Sequence, residues 1–193
     1  MANVDKAFGL RPYKGLNVGS AVQQANKYSI DPSGYGTSIF QGDLCIFACG
    51  YINRAAASSA NIVGVFSHCY YVNTSGEPTF SNYYPASTTA LGGGAIECYI
   101  YDDPNQMFVV QADGASAVTC IGRNADTDGI GGSTTTGVST RELDSSTIAT
   151  TQGLQLKIVG VVQDDTNGDL TANNANLVVI INEHAYRGPV AGT

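Results

Sequence analysis

Histidine is almost absent from this chain: His68 and His184 are the only two. Tryptophan is missing altogether, methionine occurs twice, and charged residues make up 13% of the sequence, against about 25% in an average soluble protein. Each shortage excludes something. Imidazole is the commonest general base and a frequent metal ligand, so two scattered histidines leave little for a hydrolytic or zinc site. His68 precedes Cys69, but neighbours on a strand point to opposite faces, which separates the two side chains. Glu183–His184 lacks the second histidine of a zinc-protease helix and carries no metal signal. The missing tryptophan counts against a sugar-binding platform of the usual kind. No apolar run reaches the roughly 18 residues of a membrane-spanning helix, and the N-terminus holds no apolar signal core. Synthesis in a cytoplasm, or incorporation into an assembly there, is the expectation. The five cysteines are an odd number without tight spacing. Cys45, Cys69, Cys98 and Cys120 lie inside apolar runs and read as buried, reduced thiols rather than disulfides.

The net charge of −7 is unevenly spread. Residues 1–27 hold Lys6, Arg11, Lys14 and Lys27 against Asp5, a local +3, so the remainder carries −10. An acidic body is not built to hold nucleic acid by counterion release. A basic segment on such a body suits an acidic partner, or another copy of the chain.

What is present is alternation and turn chemistry. Four apolar or aromatic runs, residues 61–72, 79–84, 95–101 and 107–110, are separated by turn signals and predict an antiparallel meander. Shorter strands are expected over 25–30, 36–40, 44–49 and 118–121, with strong ones over 154–162 and 177–182. The run 44–49 is apolar on both faces and predicts a strand covered on both sides. Gly50 and Gly64 stand where a bulge or a close backbone approach would fit. Residues 51–60 read as a small-residue loop. Residues 126–152 form a Gly/Ser/Thr-rich stretch, expected as a long loop with one helical turn over 139–144. No long stretch follows the 3.6 period. The fold class is therefore all-β: a single barrel or sandwich of antiparallel strands over 25–183, with a C-terminal tail over 184–193. Residues 1–24 show no periodicity, yet spend Phe8, Leu10, Tyr13 and Leu16. That reads as an extended arm that orders on a partner rather than as a disordered terminus.

Candidate chemistry is thin. Residues 124–129 (NADTDG) match the first half of a calcium loop, but position twelve is Thr135, where a bidentate Glu is needed. Such clusters are also ordinary turn formers. Gly92–Gly93–Gly94 lacks the Lys and helix of a phosphate cradle. Asp102–Asp103 and Asp164–Asp165 are adjacent acids in turns, not a poised acid–base pair. No catalytic residue, metal or cofactor is expected. Six of the eleven tyrosines, Tyr70, Tyr71, Tyr83, Tyr84, Tyr99 and Tyr101, lie in the central runs. Alternation puts Tyr99 and Tyr101 on one face. Strand propensity explains such tyrosines as well as an interface does.

Several local sequences resemble virion structural proteins of tailed bacteriophages, of the kind encoded beside the major capsid protein. They are residues 7–12 (AFGLRP), the 42–44 turn into a strand, 62–66 (IVGVF) with Cys69 and Tyr71, 80–85 (FSNYYP), 101–105 (YDDPN) with 107–113, and 142–144 running into 154–158. The resemblance implies a capsid decoration, or cement, protein: a β-rich homo-oligomer, trimeric rather than dimeric. It would bind the outer surface of the major capsid protein shell between capsomers, with no nucleic-acid or membrane partner. Phe8, Leu10, Arg11, Tyr13, Tyr83 and Tyr84 are then the expected capsid or subunit contacts. A receptor- or glycan-binding module of a head fibre or tail is the alternative.

Overall fold

The computed structural model describes residues 3–16, 24–162 and 166–187. Among them fifteen strands form: β1 (Arg11–Gly15), β2 (Asn26–Ile30), β3 (Ile39–Phe40), β4 (Leu44–Ala48), β5 (Tyr51–Arg54), β6 (Ile62–Val72), β7 (Pro78–Ser81), β8 (Tyr83–Tyr84), β9 (Ile96–Tyr101), β10 (Gln106–Gln111), β11 (Asn124–Ala125), β12 (Thr127–Asp128), β13 (Glu142–Leu143), β14 (Leu156–Val161) and β15 (Asn176–Ile181). All paired strands run antiparallel. The fold is all-β, as the alternation predicts.

Two sheets carry the architecture. One has the order β1-β10-β15-β14-β11; the other has β2-β9-β6-β4-β5, with β7 also paired to β6. The second sheet curls until its edge strands β2 and β5 approach each other. Its two faces are apolar for different reasons. Leu44, Ile46, Ile62 and Val65 pack against Phe108, Leu156, Ile158, Leu177 and Val179 of the first sheet. Cys45, Ile52, Val63, Phe66, Cys69 and Cys98 fill the inside of the curl with Ile30, Ile39 and Tyr84. Strand β4 thus contributes to both cores, as its two apolar faces predict. All five cysteines are free, and only Cys49 is exposed.

Gly64 makes the curl possible. A Cβ there would collide with the Tyr101 carbonyl oxygen of the neighbouring strand, and the ladder to β4 slips by one residue beside it. A bulge at a residue without a side chain bends the sheet without a clash.

Several expectations are corrected. The meander holds for β7, β6 and β9, but β10 crosses at the 102–105 turn into the other sheet. Residues 51–54 are a strand, not a loop: Cys49 and Gly50 both take positive φ and close a two-residue hairpin between β4 and β5. Residues 118–120 form a 3-10 turn rather than a strand. The helical turn expected over 139–144 lies at Ser145–Thr147, where the Asp144 carboxylate caps the Ser146 N–H.

The Gly/Ser/Thr-rich stretch is no open loop. Arg141 within it is fully buried. Its guanidinium donates to Thr127 Oγ1 at 2.6 Å and to the Ala55 carbonyl at 2.5 Å, and stands 3.7 Å from Asp43 Oδ1. Asp43, equally buried, accepts from the Phe40 N–H at 2.9 Å and from Ser139 Oγ at 2.6 Å. Burial pushes the Asp43 carboxyl up and the Arg141 guanidinium down, and each charge offsets part of the other's shift.

The C-terminal segment is fastened too, over 184–187; residues 188–193 of the expected tail lie outside the described residues. The Ile62 N–H donates to the Glu183 carbonyl and the Ala185 N–H to the Ile62 carbonyl, both at 2.8 Å. His184 between them is fully buried. Burial, and secondarily Arg187, lower its pKa to about 4, with Asp102 and Asp103 opposing. The unfolded chain takes up this proton near pH 6.5, the folded chain only near 4. Stability from this group is complete above pH 6.5 and is lost as pH falls through that window, about 3 kcal/mol in all. Glu142, pushed up mainly by its burial, acts in the opposite sense. The expected result is that the melting temperature of His184→Gln falls less between pH 7 and pH 4.5 than that of wild type. Parallel curves would refute this.

Candidate functional site

The N-terminal segment, expected to order only on a partner, is over residues 3–16 part of the domain. Its residues 17–23 lie outside the described set. Leu10 is 1% exposed and sits in the core between the sheets. Its N–H donates to the Gly42 carbonyl at 2.9 Å, and Gly9, at φ 69°, turns the chain there. β1 then pairs with β10. Further back, Gln111 donates to the Val4 carbonyl and accepts from the Lys6 N–H.

That pairing places cations on the outer face of the five-stranded sheet. Two rows cross it in register. Lys14 lies opposite Met107, Met107 opposite Ile180, and Ile180 opposite Lys157. Arg11 lies opposite Val109, Val109 opposite Val178, and Val178 opposite Gly160. The adjacent row, Pro12, Phe108, Val179 and Ile158, points inward. Met107, Val178 and Ile180 in the middle of these rows are themselves buried, so what this face offers is Arg11, Lys14 and Lys157 with the apolar side chains exposed beside them. Tyr13 is 43% exposed, Leu16 48% and Val159 38%, and with Met107 and Val178 they line a hollow of about 240 Å³. The five strands carry Arg11, Lys14 and Lys157 but not one Asp or Glu, in a chain of net charge −7. Arg11 also covers the Phe8 ring at 4.1 Å, and Lys14 lies 5.4 Å from the Tyr13 ring centre.

The expected contact residues are thus divided. Arg11 and Tyr13 belong to this face. Phe8 is half-buried at its margin, lining hollows that Arg11 shares. Leu10 and Tyr84 are core residues, Tyr84 with no exposure at all, and are unavailable to a partner. Tyr83 is half-buried and stacks on Phe40 at 5.5 Å. Sequence reasoning missed Lys157, Met107, Val159 and Val178. The one available signal was the absence of carboxylates from residues 154–162 and 177–182.

Elsewhere the candidate chemistry is dispersed. The Asn124 amide donates to the Thr151 carbonyl, Asp126 accepts from the Gln155 N–H, and Asp128 accepts from the Gly129 N–H. The two acids of the half calcium loop thus serve separate backbone donors, Gln155 ahead of β14 and Gly129 just after β12. His68 stacks on Tyr99 at 4.4 Å on one face of β6, while Cys69 on the other donates to the Tyr83 carbonyl at 3.3 Å. Among the described residues no helix is long and apolar enough to cross a membrane. No protein-family model matches the chain, nor does any curated protein or solved structure.

Proposed function

We propose that this chain is a decoration, or cement, protein of a tailed-bacteriophage capsid, without catalytic activity of its own. It docks through the outer face of its five-stranded sheet onto the outer surface of the major capsid protein shell. The observation that carries this reading is the outer face of the five-stranded sheet, where Arg11, Lys14 and Lys157 stand with the exposed Tyr13, Leu16 and Val159 and no carboxylate lies on the five strands of an otherwise acidic chain. Its cations attract an acidic partner surface, and Tyr13, Leu16 and Val159 leave exposed apolar area for the same partner to cover. The choice of partner rests on the resemblance of local sequences to phage virion proteins. Self-association into a trimer, which lets one oligomer bridge neighbouring capsomers, raises the effective concentration of each further contact.

A protein that binds the expanded shell and not the isolated subunit stabilises that shell in proportion to its differential affinity. DNA-filled particles carrying the protein should therefore release DNA at a higher temperature than particles stripped of it, and re-addition should restore the difference. Equal release temperatures at full occupancy would remove the cement role.

A further inference from the structure

The second half of β6 carries a separate site. Strand β6 is eleven residues long. Its first half packs on the five-stranded sheet through Ile62 and Val65. Beyond the register slip at Phe66/His68 it continues with β7 and β9. There His68 and Tyr99 stack at 4.4 Å with their planes 11° apart. Tyr70 packs on Phe80 at 4.7 Å, and Phe80 is 73% exposed, the most open large apolar side chain among the described residues. A groove of about 480 Å³ runs along these rings, lined by Gln24, Ser67, His68, Phe80, Tyr99 and Tyr101, with Ala25.

Two features separate this groove from the basic face. Its apolar lining is aromatic, with no Leu, Ile, Val or Met, whereas the docking face is chiefly aliphatic. It is also electrically neutral. The nearest charges on the same strands, Lys27 and Glu97, neutralise each other at 3.1 Å, and burial lowers the His68 pKa below its usual value, which favours the uncharged ring. Ring faces open to solvent, a rim of neutral hydrogen-bonding groups, no net charge and a volume in the range of small-ligand sites match one ligand chemistry best. A sugar ring offers a flat C–H face for stacking and hydroxyls for the rim. An acidic protein surface finds no unpaired cation here, and an aliphatic side chain finds no aliphatic pocket.

We infer that this groove binds a neutral carbohydrate, whose rings stack on Phe80 and Tyr99 and whose hydroxyls engage Gln24 and Tyr101. Phenylalanine and tyrosine here take the part that tryptophan plays in many sugar sites. The inference stands whether or not the chain sits on a capsid.

The test is an array of neutral and sulfated glycans probed with the intact protein, followed by titration of the best neutral oligosaccharide against tyrosine fluorescence, which no tryptophan masks. Saturable binding is expected, weakened at least about tenfold by Phe80→Ala and by Tyr99→Ala, a loss in keeping with one stacked ring. It should be nearly insensitive to salt, because no ion pair forms. Phe80 is exposed, so Phe80→Ala leaves the fold intact, which circular dichroism checks. Shell occupancy should be the same for Phe80→Ala and wild type. The inference is overturned if no neutral glycan binds, if sulfated glycans alone bind in a salt-dependent way, or if Phe80→Ala leaves sugar binding unchanged. Loss of shell occupancy in Phe80→Ala without sugar binding would make the groove a protein contact instead.

Discussion

Replacing Arg141 by alanine is expected to destabilise the domain by about 3–5 kcal/mol, the usual cost of stranding one partner of a buried ion pair. The substitution removes the cation beside Asp43, which has no exposure of its own. It also takes away the donors to Thr127 and to the Ala55 carbonyl, and leaves a void where the side chain ran. In a domain of this size that corresponds to a fall of roughly 10 °C in melting temperature. The cause is the uncompensated carboxylate, so Asp43→Asn in the same chain should recover part of the loss. Asparagine keeps one acceptor oxygen for the Phe40 N–H and presents its NH2 to Ser139 Oγ, which can accept, while removing the charge. The double variant should therefore lose less than the sum of the single ones. Additive losses, or a loss below about 1 kcal/mol for Arg141→Ala, would show that the pair does not hold the 126–152 stretch in place.

The second large effect concerns binding. Reversing two cations of the docking face, Lys14→Glu with Lys157→Glu, should weaken shell binding about a hundredfold or more. The two residues stand in one row, with the buried Met107 and Ile180 between them. Reversal places like charge against an acidic partner at both positions at once. Because Lys157 is exposed and Lys14 half-buried at an edge strand, the fold should be little affected, within about 0.5 kcal/mol per site. Neutral glutamines at the same positions should fall between. Raising salt should narrow the gap between wild type and the reversed variant, since screening removes the repulsion. Wild-type binding itself should persist well above physiological salt, because the exposed Tyr13, Leu16 and Val159 add apolar contact that salt does not screen. Equal affinity of the reversed variant and wild type would exclude this face as the contact.

Several parts of this molecule are legible in the sequence, and the reason others are not is physical. Strands whose burial is decided by their own residues stand out: β14 and β15 by their aliphatic runs, β9 by Ile96, Cys98 and Ile100 alternating with Glu97, Tyr99 and Tyr101. The close approach at Gly64 is also marked, since a glycine inside an apolar run asks for a reason. What depends on long-range pairing is hidden. β1 reads as an arm because Pro12 and Gly15 break local periodicity, yet it is stabilised by a ladder to β10, about a hundred residues away. The 126–152 stretch reads as a loop because its composition is polar. Its order comes from Arg141 reaching Asp43 and Ala55, a contact that composition does not encode.

The docking face illustrates the same limit. Arg11 and Tyr13 could be singled out as unusual residues in a segment without periodicity. Lys157 looks like any exposed strand lysine until the register sets it in line with Lys14 across four strands. Tyr84, expected with its neighbour Tyr83 as a contact, proves to point inward, its hydroxyl donating to the Tyr35 carbonyl at 3.1 Å.

The docking role is tested most directly by titrating purified, expanded capsid shells with the protein and counting bound copies at saturation, for wild type and for Lys14→Glu/Lys157→Glu side by side. A decoration protein repeats with the lattice, so wild type should saturate at a number on the order of hundreds per particle, in fixed ratio to capsomers. The reversed variant should leave the same shells largely bare at that concentration. Saturation at a single tail-proximal position, or no binding of the wild-type chain to shells at all, would contradict it.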